Sequence, residues 1–174
     1  MANREAIREL QARLASRLQT ARNEGLAVSW LAVRSAGEHF LLPLGQSGEI
    51  FPVGTIQAVP YVQRWFRGVV NLRGGLFGVA DLADFLRGDA GPARALPADP
   101  VVVTLNAALE VNAAVLVDAL AGLRSPDSFS AVQPPAPDAP PCVGNRFTDA
   151  AGLHWQEINL QALAQMPRFL TITA

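Results

Sequence analysis

From residue 28 onward the chain is built from short apolar runs, few longer than eight residues, separated by glycine or proline. Runs at 28–33, 40–44, 49–53, 68–72 and 76–82 follow one another at intervals of about ten residues. They are rich in Val, Leu, Ile and Phe. Their length and punctuation favour strands over helices. A short helical turn is expected at 82–86, stopped by Gly88. A second set covers 101–105, 109–117 with the chain continuing through Leu123, then 142–148 and 154–158. A short helix at 160–165 and a tail strand at 169–173 close the chain. About ten strands in two groups of about five argue for an all-β fold with minor helices, arranged as two small barrels. Long helices do not alternate with the strands, which disfavours a doubly wound sheet.

Residues 1–26 differ in texture. Ile7, Leu10, Leu14 and Leu18 recur at helical spacing, with Ala21 extending the stripe. Asn3 fits an N-cap and Gly25 a stop. Such an amphipathic helix either packs on its own domain or meets a partner. Residues 27–174 form the β domain, with a first barrel at about 28–88, a second at about 99–159, and a C-terminal helix and tail at 160–174. Residues 88–100 read GDAGPARALPADP, a linker. Residues 131–141 contain five prolines, so that segment is an extended loop and not a central strand.

Composition removes whole classes of chemistry. All 14 basic residues are arginine, so phosphate-loop, Schiff-base and kinase-strand lysines are absent. Cys142 is the one cysteine, which forbids an intramolecular disulfide or a multi-cysteine zinc site. His39 and His154 are too far apart for a short metal motif, so neither a metal nor a cofactor is expected. The net charge of -1 lacks the electrostatic signature of a nucleic-acid binder. An oligonucleotide-binding barrel would also need stacking aromatics along a basic groove. The charged start is neither a signal peptide nor an anchor, and no run reaches 18 apolar residues, so a cytoplasmic protein without membrane insertion is expected.

Candidate catalytic groups find no oriented partners. Asp81 and Asp118 each end an apolar run, where a carboxylate meets backbone donors or an arginine. His154 reads as a strand-edge residue and Cys142 as a small buried one. Ser47 lacks the glycine two positions on that a nucleophile elbow needs. The glycines of Arg73-Gly74-Gly75-Leu76-Phe77-Gly78 suit a tight turn between strands. What remains is the profile of an interaction module.

Residues 68–82, GVVNLRGGLFGVADL, closely resemble the signature of the CheW family of chemotaxis coupling proteins, G-h-h-N-L-R-G-h-h-h-P-h-h-D-L with h apolar. Phe40-Leu41-Leu42-Pro43-Leu44, Gly48-Glu49-Ile50, Ala58-Val59-Pro60, Val115-Leu116-Val117-Asp118 and residues 155–160 extend the resemblance over about residues 28–165. Gly78 replaces the family proline, Ala114 a glycine, and Asn159 an aspartate. The N-terminal helix, Trp65 and the Phe169-Leu170 ending look like the PilI branch, which serves type IV pili and twitching motility.

The resemblance implies two five-stranded, SH3-like barrels around a common core. It implies a non-enzymatic adaptor that binds the regulatory domain of a CheA-type histidine kinase and holds the helical tip of a chemoreceptor. An adaptor that binds the kinase without a receptor is the alternative. Arg73 is the candidate anchor, its planar fork suited to carboxylates or carbonyls. A structural pairing with Glu49 is the other reading, and the two are compatible. Glu49 inherits a role by the same match. Asn71 is an interface candidate that also shapes the turn, and Gly68, Gly74 and Gly75 are turn-shaping candidates. Val115 and Val117 belong to a core or a binding trough, and Trp65 is either a contact residue or buried.

Overall fold

The computed structural model describes residues 2–23, 29–88 and 91–174. Among them are eleven strands: β1 Trp30–Ser35, β2 Glu38–Pro43, β3 Ser47–Pro52, β4 Phe66–Leu72, β5 Gly75–Asp81, β6 Val101–Leu105, β7 Ala113–Val117, β8 Ala119–Arg124, β9 Phe129–Gln133, β10 Val143–Asp149 and β11 His154–Ile158. Helices α1 Ala2–Asn23, α2 Leu82–Arg87, α3 Leu160–Gln165 and α4 Pro167–Leu170 complete the elements used below. One sheet has the order β8-β1-β2-β11-β10-β9 and the other β3-β6-β7-β5-β4.

The strands do not divide between the sheets in sequence order, as barrels at 28–88 and 99–159 would require. The first sheet takes two strands from the first half of the chain and four from the second. Parallel pairings of β11 with β2 and of β5 with β7 bind the halves together. The strand expected at 109–117 starts later, at Ala113, as β7, and beyond Asp118 the chain continues as β8 in the other sheet. The count is therefore six and five. Residues 131–133, inside the proline-rich stretch, join β9, which is an edge strand. The prolines begin where its pairing with β10 ends.

Alternation along the strands explains the layering. Leu31 and Val33 of β1, Phe40 and Leu42 of β2, Val101 and Val103 of β6, and Val115 and Val117 of β7 fill one shared central layer. The intervening residues point the other way, as period-two geometry requires. Val102, Ala114 and Leu116 fill the second sheet's own barrel. Trp30, Ala32, Leu41 and Trp155 fill the first. Each sheet is rolled so that its edges meet. In a flat sheet β1 and β9, four strand spacings apart, would lie about 19 Å from each other at the usual spacing of about 4.8 Å. Yet the ring of Trp30, beside edge strand β8, lies 5.9 Å from Phe129 on the far edge.

The barrels are also joined by a polar node. Arg94, inside the linker, donates through Nε to Asp81 Oδ2 at 2.6 Å, through Nη1 to Asp118 Oδ1 at 2.8 Å, and through Nη2 to Ser35 Oγ at 3.0 Å. Asp81 ends β5 and N-caps α2 through the Asp84 amide. Asp118 lies between the sheets and accepts from the Ala36 amide at 2.8 Å. Burial works against the Arg94 charge, but Asp118 and Asp81 outweigh it and raise its pKa above the ordinary value. Both aspartates therefore have the arginine partner expected of them.

The ends of the chain differ from expectation. The tail is the helical turn α4, with a single bridge from Thr173 to Val62 in place of a strand. Met166 precedes Pro167, which opens that turn where its missing donor costs nothing. Asn159 caps α3 by accepting from the Ala162 amide at 2.9 Å, a bond that an aspartate side chain can accept equally well. In α1, Asn3 lies inside the helix. Leu14 is buried, whereas Ile7 and Leu10 are exposed. The side chains of Leu18 and Ala21, and all of Gly25, lie outside the described residues. No described helix is long and apolar enough to cross a membrane.

Replacing Arg94 by methionine strands the fully buried Asp81 carboxylate. Unfolding free energy from urea titration should fall by about 3 kcal/mol, the usual scale for breaking a buried pair. A change under about 0.5 kcal/mol would show that the node does not hold the sheets together.

Candidate functional site

Hairpin β4–β5 turns through Arg73 and Gly74, with Leu72 opposite Gly75. Both turn residues have positive φ, +50° and +80°, the mark of the two-residue turn whose twist matches the flanking strands. Glycine adopts this geometry freely. For arginine it costs on the order of 1–3 kcal/mol. Asn71 offsets part of that cost, because its Oδ1 accepts from the Gly74 amide at 3.1 Å. Its contribution is therefore made by the side chain, not by left-handed backbone. Gly68 has φ +132°, and a Cβ there would come within 2.1 Å of the Gln57 carbonyl oxygen, where residue 57 pairs with Val69. Gly75 is less constrained: a Cβ there would lie 3.0 Å from the edge of the Phe77 ring and 3.4 Å from the Leu72 carbonyl oxygen.

Glu49 is aimed by a different device. The β3–β6 register slips between Ser47 and Ile50, and a bulge of this kind redirects a side chain. Gly48 lets the strands close, since a Cβ would fall 2.0 Å from Thr104 Oγ1. That hydroxyl accepts from the Glu49 amide at 2.8 Å. Arg73 then reaches from the β4 edge of the rolled sheet to the β3 edge. Its Nη2 lies 3.0 Å from Glu49 Oε2, and Nη1 donates to Oε1 at 3.4 Å. The guanidinium also sits 5.6 Å over the Phe51 ring.

Magnitudes decide what this pair is for. The side chains are 73% and 50% exposed. Exposed ion pairs stabilise by about 0–1 kcal/mol, less than the backbone strain at Arg73 costs. The pair is thus a poor stabilising device and a well-oriented surface feature. It rims an open hollow of about 340 Å³ lined by Phe51, Leu72, Phe77 and Val111 among others. An apolar floor with a fixed charged rim can seat an amphipathic helix.

Arg73, Glu49, Asn71, Gly74 and Gly75 come together here, with Gly68 shaping the edge strand behind. Three other candidates are elsewhere. Val115 and Val117 lie in the central layer, 1% and 0% exposed, because β7 is covered on both faces. Trp65 is 2% exposed, stacked on Phe169 at 5.4 Å and crossed edge-on by Phe85 at 5.1 Å. It is a core residue and offers no contact surface. Cys142 is fully buried, which pushes its thiol pKa up. His154 sits at the exposed start of β11, with Nδ1 3.1 Å from Thr148 Oγ1. Phe51, Phe77 and Val111 were not singled out by the sequence. Their apolar character fits a strand interior equally well, and only the rolling of the sheet puts them in one hollow.

Three comparisons bear on this geometry. The family model described as the CheW-like domain matches residues 29–166. The chain is 31% identical over 163 residues to Protein PilI of Pseudomonas aeruginosa strain PAO1, covering 92% of this chain and 88% of that one. Its fold is similar to the crystal structure of the scaffolding protein TtCheW from Thermoanaerobacter tengcongensis. The TM-score is 0.65 at 20% identity, over 82% of this chain and 96% of the other.

Truncating Asn71 to alanine removes the bond that holds the turn. Unfolding free energy should fall by about 1 kcal/mol, and a double-mutant cycle between Arg73 and Glu49 should lose its coupling in that background. An intact coupling would mean that the turn does not orient the arginine.

Proposed function

The chain belongs to the CheW-like family, and on that premise we propose that it is a non-enzymatic adaptor coupling a chemoreceptor to a CheA-type histidine kinase. The observation that carries this reading is the exposed Arg73–Glu49 pair on the rim of an apolar hollow. The helical tip of a receptor lays its apolar face over Phe51, Leu72 and Phe77. Arg73 keeps its fork free of a deep partner, so it can grip a carboxylate or a terminal carbonyl on that helix. Because Glu49 and the turn hold it in place, little side-chain freedom is lost on binding. The kinase's regulatory domain, a second partner, takes another face of the adaptor domain at residues 27–174. Residues 1–26 are an extension of that domain.

The likeness to Protein PilI supports placing the adaptor in a chemosensory system for type IV pili and twitching motility. Its site of action is then the cytoplasm, reaching the membrane only through the receptor array. The adaptor performs no chemistry of its own, needs no cofactor and engages no nucleic acid.

Fluorescence polarisation with a labelled receptor-tip fragment tests the rim. Arg73→Glu should weaken binding about tenfold or more, the effect of a central interface arginine. Its thermal unfolding should stay close to that of the parent chain, because the pair is exposed. Undiminished binding by the folded variant would remove Arg73 from the interface. Binding of the kinase's regulatory domain with none of the receptor fragment would point to a kinase regulator without receptor contact.

A further inference from the structure

Tyr61 is the chain's one tyrosine. Its backbone is left-handed, at φ +58°, and the residue is 90% exposed. A bulky residue at positive φ is an outlier. Turns that need this geometry are ordinarily filled by Gly, Asn or Asp. Packing does not explain the choice either, because the ring stands in solvent. Four described residues other than glycine have positive φ: Ala36, Tyr61, Arg73 and Glu110. Tyr61 is the aromatic one.

The strained turn is held by the tail. The Ala174 amide donates to the Tyr61 carbonyl at 3.1 Å, Val62 bridges to Thr173, and the Gln63 amide donates to the Ile172 carbonyl at 2.7 Å. The side-chain amide of Gln63 adds a bond to the Thr173 carbonyl at 2.8 Å. The tail is itself fixed, since Phe169 is stacked on the buried Trp65. Strained backbone persists only where its surroundings determine it, and it gathers at functional sites.

We infer that Tyr61 is the anchor by which this chain engages the regulatory domain of its kinase, and that this domain receives the phenol ring in an apolar pocket. The inference rests on the two-partner reading given above. Position assigns the partner. Gln57 pairs antiparallel with Val69, so the chain from there to Tyr61 runs toward the start of β4, whereas Arg73 lies past its end. The strand between them is about 20 Å long at about 3.3 Å per residue. An anchor at Tyr61 leaves the receptor rim at Arg73 clear. The residue type suits the role, since tyrosine is enriched among the few residues that dominate interfaces. Its ring is large and has two side-chain torsions, so little freedom is lost on binding. The fixed backbone lowers that loss further.

The single tyrosine supplies a single reporter. Full-length protein labelled with 3-fluorotyrosine is titrated separately with the purified regulatory domain of the kinase and with a receptor-tip fragment. The fluorine resonance should move with the kinase domain and stay in place with the receptor fragment. Tyr61→Asn removes the ring and leaves a residue that tolerates left-handed backbone. This variant should unfold at the parent's temperature or above it. It should bind the kinase domain about tenfold more weakly and the receptor fragment within about twofold of the parent, the two sites being distant. Tyr61→Phe keeps the ring and should bind the kinase domain within about fivefold of the parent, the scale of one neutral hydrogen bond. Kinase-domain binding by Tyr61→Asn equal to the parent's would overturn the anchor and leave the two-partner reading standing. A resonance that moves with the receptor fragment would overturn the assignment to the kinase. Failure of the parent chain to bind the kinase domain would overturn the two-partner reading and the anchor with it.

Discussion

Strands β6 and β7 are covered on both faces, and the architecture follows from that constraint. Each contributes alternate side chains to two different cores, the shared central layer and the barrel of its own sheet. Such strands have no face left for solvent, and their sequences, Val-Val-Val-Thr-Leu and Ala-Ala-Val-Leu-Val, are accordingly apolar at almost every position. A layer shared by two barrels needs strands of both sheets on either side of it. The chain supplies them by crossing from one sheet to the other after β2 and again at Asp118. The polar node sits at this crossing, where one guanidinium binds a residue from the end of β5, one from the β7–β8 junction and one from β1.

The same constraint decides which residues face partners. A side chain on β7 cannot, whatever its motif. The turns at the barrel ends can, and the β4–β5 turn is the one that carries a strained arginine. Its ion pair spans the two edges of a rolled sheet, so its geometry depends on how tightly that sheet closes. Gly48, Gly68 and Gly78 each permit a close backbone or ring approach that a side chain would block. The geometry of the Arg73–Glu49 pair and packing inside the barrel are therefore linked through the same hairpin.

Much of this was legible in the chain. Run length and punctuation gave most strands, and Gly88 marked the end of α2 where the structure places it. The turn residues were legible because positive φ selects glycine, and the Asn71-Leu72-Arg73-Gly74 spacing is hard to satisfy another way. Topology was not legible. Nothing local distinguishes a strand that pairs with its neighbour from one that pairs across a hundred residues, so the interleaving of the halves escaped. Arg94 was hidden in a stretch whose alanines and prolines read only as linker. Trp65 was undecidable because its partner, Phe169, lies a hundred residues away. The tail read as a strand because Phe169, Leu170 and Ile172 have strand-like composition, while Pro167 opens a helical turn.

The role proposed for this chain is to make a kinase respond to a receptor. The most direct measurement is kinase autophosphorylation in a system reconstituted from membrane-inserted receptor, kinase and this chain. The account predicts that receptor ligand alters the rate when the chain is present and leaves it unaltered when the chain is omitted. A ligand response of equal size with and without the chain would contradict it.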